Sequence, residues 1–333
     1  MIKMIKNVNI NNFKTNIIIE KNYVNANWDF LKNNKKYIVI TDSNLYSLYE
    51  PLLNTIPNLI EIIVVPAGEA NKNFEVYHSI LSKLSSLNFS RNDVLISFGG
   101  GVINDLSLFV GASYQRGVNV ISIPTSLLAM VDASIGGKCG VNLGEFKNQV
   151  GSFYFPTNII IDESLLDTLP KSEFYNGISE IVKYALLKDA ELFNQLMNNT
   201  FDLSETISKC IDYKLEIIGN DLFDQHNRKL LNFGHTYGHI VESYSNYNIS
   251  HGNAIAIGLI KEISNKEIKE QVYNLLSRYF SLNYEIPFEY GKKCILKDKK
   301  LTSNTIDVVE LEKIGKAKLV TKKVEELLNE YFW

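Results

Sequence analysis

The first half of the chain alternates short apolar runs, rich in β-branched residues, with longer amphipathic stretches. This alternation is typical of a parallel sheet whose strands are joined by helices. It predicts strands at residues 16–20, 36–41, 61–65, 93–98 and 118–123, and helices at 73–87 and 103–113.

The strand pattern fades after about Asp162, and apolar residues then recur at helical spacing. The predicted helices cover residues 171–187, 190–198, 203–220, 225–244 and 253–281. A chain of 333 residues is long enough for two hydrophobic cores. The sequence therefore predicts an α/β fold, with a Rossmann-like parallel-sheet domain over residues 1–160 followed by an all-helical domain over residues 161–333.

Composition narrows the class of protein. The hydrophobic fraction of 45% is that of a globular chain, and a net charge of -3 offers no basic surface for nucleic acid. Cys139, Cys210 and Cys294 are odd in number and far apart, which argues against a disulfide framework and a thiolate zinc site. No apolar run is long enough to span a membrane, and no cleavable leader is evident. We expect a cytoplasmic protein without nucleic-acid or membrane partners.

Three polar turns follow predicted strands. Gly99-Gly100-Gly101 lies between a strand and a helix, where backbone N–H groups and the helix N-terminus can hold a phosphate. A tight structural turn is the alternative, because the glycines do not form a GxGxxG fingerprint. Asp42 and the segment from Gly68 to Lys72 follow two other strands, and parallel strands would bring all three turns to one edge. Together they favour a nucleotide cofactor.

Charged and amide side chains occur among glycines and small or apolar residues in the middle of the chain. Several lie among glycines and small residues between Pro124 and Asn148, and others at helical spacing further on, with Glu180 and Lys183 on one side of a predicted helix. This many cations indicates an anionic substrate that bears phosphate, carboxylate or both. The residues concerned are Asp132, Lys138, Lys147, Asn148, Lys183, Lys214, Arg228 and Asn232.

Three of the five histidines, His235, His239 and His251, lie close together in the sequence. From spacing alone, His235 and His239 would face the same way on a helix and bind one metal ion together with a carboxylate. Buried or capped structural histidines are the alternative interpretation. His78 and His226 have no such neighbours.

These residues resemble those of the 3-dehydroquinate synthase family. The resemblance runs in order through most of the chain and becomes fainter towards Asp298-Lys299-Lys300. The matching segments are Thr41-Asp42, Gly99 to Asp105, PTSLLAMVDASIGGK, Lys147-Asn148, Gly177 to Asp189, Leu231 to Glu242 and His251-Gly252.

The resemblance implies NAD and one divalent metal, usually zinc with cobalt possible, as cofactors of a shikimate-pathway lyase. The implied substrate is 3-deoxy-D-arabino-heptulosonate 7-phosphate, which is oxidised transiently, loses phosphate, is reduced again, opens its ring and closes by an intramolecular aldol reaction. Glu180, His235 and His251 are the implied metal ligands. The resemblance thus moves His239 from the metal to the substrate.

The other implied site residues fall into two sets. NAD would lie against Asp42, Asn44, Gly68, Glu69, Lys72, Gly100, Gly101, Val102, Ile103, Asn104, Asp105, Thr125, Ser126, Lys138, Lys147, Leu165, Leu166, Asp167 and Thr168. Substrate would contact Asp132, Lys138, Asn148, Lys183, Lys214, Arg228, Asn232, His239 and Lys300. Arg116 would reach the phosphate across the interface of a homodimer.

The sequence departs from the family pattern at a few positions. Asn104 stands where glycine is frequent and Ser126 where threonine is common, and the region from Gly258 to Asp298 is short. Other sugar-phosphate cyclases, such as 2-deoxy-scyllo-inosose or valiolone-type synthases, are the nearest alternative. A second alternative is a metal-dependent polyol dehydrogenase, which would need fewer cations and would accumulate reduced nicotinamide. A third is a relative that only binds its ligands, which would not need every metal ligand and pocket cation to be present.

Overall fold

The computed structural model describes residues 3–332 except 12, 27, 33, 145 and 297–303, without the side chains of residues 25 and 26. The chain folds into two compact units, Met1–Pro170 and Lys171–Trp333. Among the residues described, no helix is both long enough and apolar enough to cross a membrane.

The first unit is built on a seven-stranded sheet. Its strands are β1 (Met4–Ile10), β2 (Phe13–Ile19), β3 (Tyr37–Asp42), β4 (Leu59–Val65), β5 (Val94–Gly99), β6 (Asn119–Pro124) and β9 (Asn158–Ile161). Their order is β1-β2-β9-β6-β5-β3-β4, and only the β1–β2 pair is antiparallel. All five predicted strands are present. The two that escaped prediction, β1 and β9, are polar at alternate positions or only four residues long.

Helices and a hairpin complete this unit. They are α1 (Tyr23–Ala26), α2 (Ser43–Leu53), α3 (Phe74–Ser86), α4 (Gly101–Ser113) and the antiparallel pair β7 (Lys138–Leu143) and β8 (Phe146–Phe153). Central strands β3 and β5 are buried along their length, as expected when both faces of a parallel sheet are covered. Ile38, Leu95 and Ile103 are among the apolar residues that form the core between sheet and helices.

The second unit is mainly helical. Its helices are α5 (Lys171–Lys188), α6 (Ala190–Asn198), α7 (Leu203–Gly219), α8 (His235–Tyr244), α9 (His251–Glu262), α10 (Lys266–Leu276), α11 (Phe288–Leu296) and α12 (Val324–Phe332). It also contains an antiparallel hairpin of β10 (Thr305–Lys313) and β11 (Lys316–Lys323), so the prediction of an all-helical domain was wrong in this respect. The hairpin buries Ile306 and Val308 in the same core as Tyr237 and Leu327.

Two predicted helices are interrupted. Residues 225–244 form a 3₁₀ helix (Asn227–Asn232) and then α8, because Gly234 adopts a left-handed conformation with φ of 77°. Residues 253–281 are likewise divided into α9 and α10, with Asn265 capping the start of α10 through its side chain. Apolar periodicity continues through both breaks, so it could not reveal them.

Candidate metal and cofactor sites

The carboxyl ends of the parallel strands bring the predicted polar turns to one edge of the sheet. The chain runs from β3 to β4 in one direction and from β5 to β6 in the other, so the strand order reverses between β3 and β5. Such a reversal is where open α/β sheets bind ligands. Asp42 ends β3 and Gly99 ends β5, so two of the predicted turns flank this point.

Lys72 joins two of the turns directly. Its Nζ lies 2.9 Å from Asp105 Oδ2 and 3.7 Å from Glu69 Oε1, and its side chain is only 5% exposed. Burial lowers the pKa of Lys72, but the charges of Asp105 and Glu69 outweigh it and raise the pKa above its ordinary value. The lysine therefore stays charged at this edge of the sheet.

The turn at Gly99-Gly100-Gly101 is closely packed, so that side chains would be poorly accommodated at Gly99 and Gly100. A Cβ on Gly99 would lie 2.5 Å from Ile103 Cβ, and one on Gly100 would lie 3.3 Å from Ser126 Oγ. Gly100 is the N-cap of α4 and offers no side chain, so the first N–H groups of the helix are not capped by it. Asn104, which stands where the family often has glycine, is fully buried, with Ser122 Oγ donating to its Oδ1 at 2.6 Å.

Asn142 is a polar contact at this edge that the sequence did not indicate as functional. Its Nδ2 donates to Glu69 Oε1 at 2.9 Å, and its Oδ1 accepts from the backbone N–H of Asn148 at 2.9 Å. Asn148 itself has a φ of 53°, a left-handed conformation that asparagine tolerates. The sequence feature that could have indicated a role for Asn142 is its position as a polar residue between Lys138 and Lys147.

The structure places the remaining predicted residues of the first unit as follows. Asp42 caps α2 by accepting from the N–H groups of Asn44 and Leu45. Leu165 and Leu166 are buried in a 3₁₀ helix after β9, whereas Asp167 and Thr168 are exposed. The turns after β4, β5 and β6 contain or adjoin Gly68, Val102, Thr125 and Ser126. Lys147 lies in the β7–β8 hairpin, and Lys138 is exposed at the start of β7. Asp132 lies in a π-helical turn.

In the second unit, one glutamate and two histidines from three helices converge. One ligand atom from each of Glu180, His235 and His251 lies within 4.8 Å of the others. Glu180 Oε1 is 3.5 Å from His235 Nε2 and 3.6 Å from His251 Nε2. Glu180 is fully buried, whereas the His235 and His251 side chains are 14% and 31% exposed. The two histidines, and not the glutamate, are therefore in partial contact with solvent.

Both imidazoles use their other nitrogen for a second contact. His235 Nδ1 lies 3.0 Å from the carbonyl oxygen of Phe233, and His251 Nδ1 lies 3.2 Å from Glu242 Oε1. Burial and the nearby charge of Lys183 hold the pKa of His235 well below its ordinary value, so this ring is neutral. Burial lowers the pKa of His251, but the nearby carboxylates of Glu180 and Glu242 raise it to about 9. A carbonyl or carboxylate on the far nitrogen is the usual support for a metal-binding histidine.

His239 lies beside this group without belonging to it. Its ring centroid is 5.4 Å from that of His235, and the residue is exposed. The pairing of His235 with His239 by spacing is thus replaced by a group that takes one residue each from α5, α8 and α9. Packing of the helices, rather than a one-helix motif, selects these three side chains.

Three predicted cations of the second unit are buried, and one of them, Lys183, lies near His235. Lys183 is buried and forms an ion pair with Glu180 one turn earlier on α5. Lys214 and Arg228 are also buried, and Arg228 Nη1 donates to the carbonyl oxygen of Leu222 at 2.6 Å. Arg228 and Asn232 lie on the 3₁₀ helix rather than on the predicted continuous helix. Lys300 falls outside the described residues.

Comparisons with known proteins identify relatives that match most of the chain. The model of the 3-dehydroquinate synthase N-terminal region matches residues 62–176, and that of the C-terminal region matches residues 177–302. A 3-dehydroquinate synthase from Clostridium perfringens is 40% identical over 284 residues, which are 80% of this chain and 81% of that protein.

Two solved structures share the fold over nearly the whole chain. A 2-deoxy-scyllo-inosose synthase complexed with carbaglucose-6-phosphate, NAD⁺ and Co²⁺ superposes with a TM-score of 0.85 at 21% identity, covering 98% of each chain. A 2-epi-5-epi-valiolone synthase from Streptomyces hygroscopicus with NAD⁺ and Zn²⁺ bound gives 0.85 at 23% identity, covering 99% of this chain and 97% of that one.

Proposed function

Since the chain belongs to the 3-dehydroquinate synthase family, we propose that it converts 3-deoxy-D-arabino-heptulosonate 7-phosphate into 3-dehydroquinate and inorganic phosphate, a step of the shikimate pathway. The observation that carries the proposal is the convergence of Glu180, His235 and His251. Relatives of 40% identity favour this reaction over that of the other cyclases, whose likeness at 21–23% identity extends to the fold alone.

Glu180, His235 and His251 fit a divalent metal. Two imidazole nitrogens and one carboxylate oxygen are the ligands of many catalytic zinc sites, and they leave coordination positions for a substrate. Bound there, the ion would act as a Lewis acid towards substrate hydroxyl groups. The two synthases of similar fold carry Co²⁺ or Zn²⁺, which supports the same choice for this chain.

The edge of the sheet in the first unit fits NAD. The N–H groups at the start of α4 suit a pyrophosphate, and Lys72 is held charged near them. NAD would supply a hydride acceptor that returns the hydride within the same turnover. We assign NAD binding to the first unit and metal binding to the second.

Cations and amides of the predicted pocket would hold the two anionic groups of the substrate. Lys183, Lys214 and Arg228 are buried, which supports this role because the attraction between opposite charges is stronger away from water. The remaining proposed contacts are Asp132, Lys138, Asn148, Asn232, His239 and Lys300. These groups would orient the substrate and neutralise its phosphate and carboxylate, while the phosphate itself can accept a proton during elimination.

Arg116 supports the proposal of a homodimer. It is exposed, and both Gln115 and Arg116 have positive φ values, of 47° and 65°, just before Gly117. Such a conformation is uncommon for residues other than glycine and is frequent at functional sites.

We also propose a cytoplasmic location, because the three separated cysteines are not arranged as a disulfide framework.

Phosphate release from the heptulosonate phosphate tests the proposal. Purified protein with NAD and Zn²⁺ or Co²⁺ should release phosphate, lose this activity in EDTA and regain it when metal is added back. Stoichiometric accumulation of NADH would indicate a dehydrogenase instead. Glucose 6-phosphate and sedoheptulose 7-phosphate serve as comparison substrates, and preferred turnover of either would assign the chain to another cyclase reaction.

A further inference from the structure

Helices α8 and α9 exchange carboxylates at both of their ends. His251 begins α9 and contacts Glu242 near the end of α8, while the start of α8 contacts Glu262 at the end of α9. The two helices therefore run antiparallel, and each provides an acidic residue to the first turn of the other. The residues that begin the two helices are His235 and His251.

Glu262 caps a helix to which it does not belong. Its Oε2 accepts from the backbone N–H of Gly234 at 2.7 Å, and its Oε1 accepts from that of Tyr237 at 3.0 Å. Gly234, the N-cap position of α8, has no side chain that could satisfy these donors. Glu262 thereby fixes the turn in which the Phe233 carbonyl contacts His235 Nδ1.

Glu242 acts in the same way on the other helix. Its side chain is 5% exposed, and its Oε1 lies 3.2 Å from His251 Nδ1. This contact leaves Nε2 of His251 facing Glu180. A carboxylate at the start of α9 is also favoured by the helix dipole. His251 is therefore oriented by a residue that is not itself near Glu180 in the sequence.

Backbone packing makes both contacts possible. A Cβ on Gly258 would lie 1.8 Å from the carbonyl oxygen of Gly234, and one on Gly238 would lie 3.0 Å from that of Ala254. The two helices consequently touch at their backbones, and short glutamate side chains span the distance at each end. A displacement of either helix would move both imidazoles.

We infer that Glu242 and Glu262 form a reciprocal brace, in which each carboxylate positions the metal-binding histidine of the opposite helix. This inference rests on the proposed metal site. Neither glutamate is assigned as a ligand; both act through the orientation of His235 and His251. Partners of this kind usually change metal affinity by about 10–100-fold when they are removed.

Metal affinity and the visible spectrum of bound Co²⁺ test the brace on the whole protein. Zn²⁺ competition with a chromogenic chelator should show a loss of affinity of about 10–100-fold in Glu242→Ala and in Glu262→Gln, with shifted Co²⁺ absorption bands. Glu242→Gln, which keeps a hydrogen-bond acceptor, should recover part of the affinity. It also replaces Glu242→Ala should that variant fail to fold.

Asp202→Asn is the matched control. Asp202 caps α7 by accepting from the N–H of Glu205 at 2.8 Å, so this variant alters a helix cap of the same unit outside the histidine group. It should bind metal as the unaltered protein does. Equal affinity and unchanged Co²⁺ bands in the Glu242 and Glu262 variants would overturn the brace alone. Absence of metal binding by the unaltered protein would overturn the proposed function, and the brace with it.

Discussion

The polar residues at the sheet edge of the first unit and the glutamate and histidines of the second unit are held in place by different means. At the edge of the sheet, Asp42 and Gly99 end neighbouring parallel strands, and Lys72 in the turn after β4 contacts Asp105 near the start of α4. Among the helices, Glu180, His235 and His251 are supplied by three separate elements, and their positions depend on packing and on carboxylates such as Glu242. The first arrangement follows from local sequence and topology, whereas the second requires that distant helices be correctly packed.

Replacement of His251 by alanine should have the largest effect. We expect His251→Ala to lose bound metal and to lower turnover by more than about 100-fold, because even the supporting partners of a metal ligand have effects of that order. NAD binding should persist, since the sheet edge forms within the other unit. Metal content by elemental analysis and NAD affinity by calorimetry measure the two separately.

His78→Ala is the control for this prediction. His78 is an exposed residue of α3 and has no place in either group. Its variant should keep both metal and turnover. Full activity of His251→Ala would remove that residue from the proposed ligands, and loss of NAD binding would show that the two groups are not held independently.

The sequence predicted these two regions with unequal success. The strands, the turns after them and α4 could be predicted because β-branched runs and glycines act locally. The contact between His251 and Glu242 could not, since it depends on how α8 packs against α9. Spacing alone favoured His239 for the same reason: a helix period reports which residues share a face, not what that face meets.

Lys72→Met should disturb the first group without affecting the second. The substitution removes the ammonium group that lies 2.9 Å from Asp105 Oδ2, and the Asp105 side chain is only 22% exposed. A hydrogen bond to a charged group contributes about 1.5–3 kcal/mol, so the free energy of unfolding should fall by that amount, and NAD affinity should weaken. Urea denaturation and calorimetry provide the two measurements, and metal content should stay the same.

Lys83→Met is the matched control, because Lys83 pairs with Glu61 at 3.0 Å but both side chains are more than a third exposed. Such pairs contribute about 0–1 kcal/mol. Equal destabilisation by the two variants would mean that burial of Lys72 has no special consequence. Loss of metal in Lys72→Met would contradict the separation of the two groups.

Asp307→Asn should have the smallest effect of these substitutions on the free energy of unfolding. It alters the contact between β10 and the 3₁₀ helix that precedes His235. Lys229 Nζ lies 2.7 Å from Asp307 Oδ2, and Thr321 Oγ1 donates to Oδ1 at 2.7 Å. The hydrogen bond from Lys229, followed by that from Thr321, lowers the pKa of Asp307 below its ordinary 3.8. Because the pKa is lower in the folded protein than in the unfolded chain, the contact stabilises fully above the ordinary pKa.

This stabilisation should disappear as the pH falls through the lowered pKa of the folded protein. At neutral pH the variant should be less stable by about 0.5 kcal/mol, since both side chains are partly exposed. Urea midpoints measured from neutral to acid pH should therefore converge with those of the unaltered protein at the acid end. Glu312→Gln on the same hairpin, which removes an exposed pair with Lys316, should change the midpoint less. If the difference in urea midpoint between Asp307→Asn and the unaltered protein stays constant down to the acid limit, the charge of Asp307 is not the cause of the stabilisation. Packing would then hold the hairpin against the segment that carries Arg228 and leads to His235.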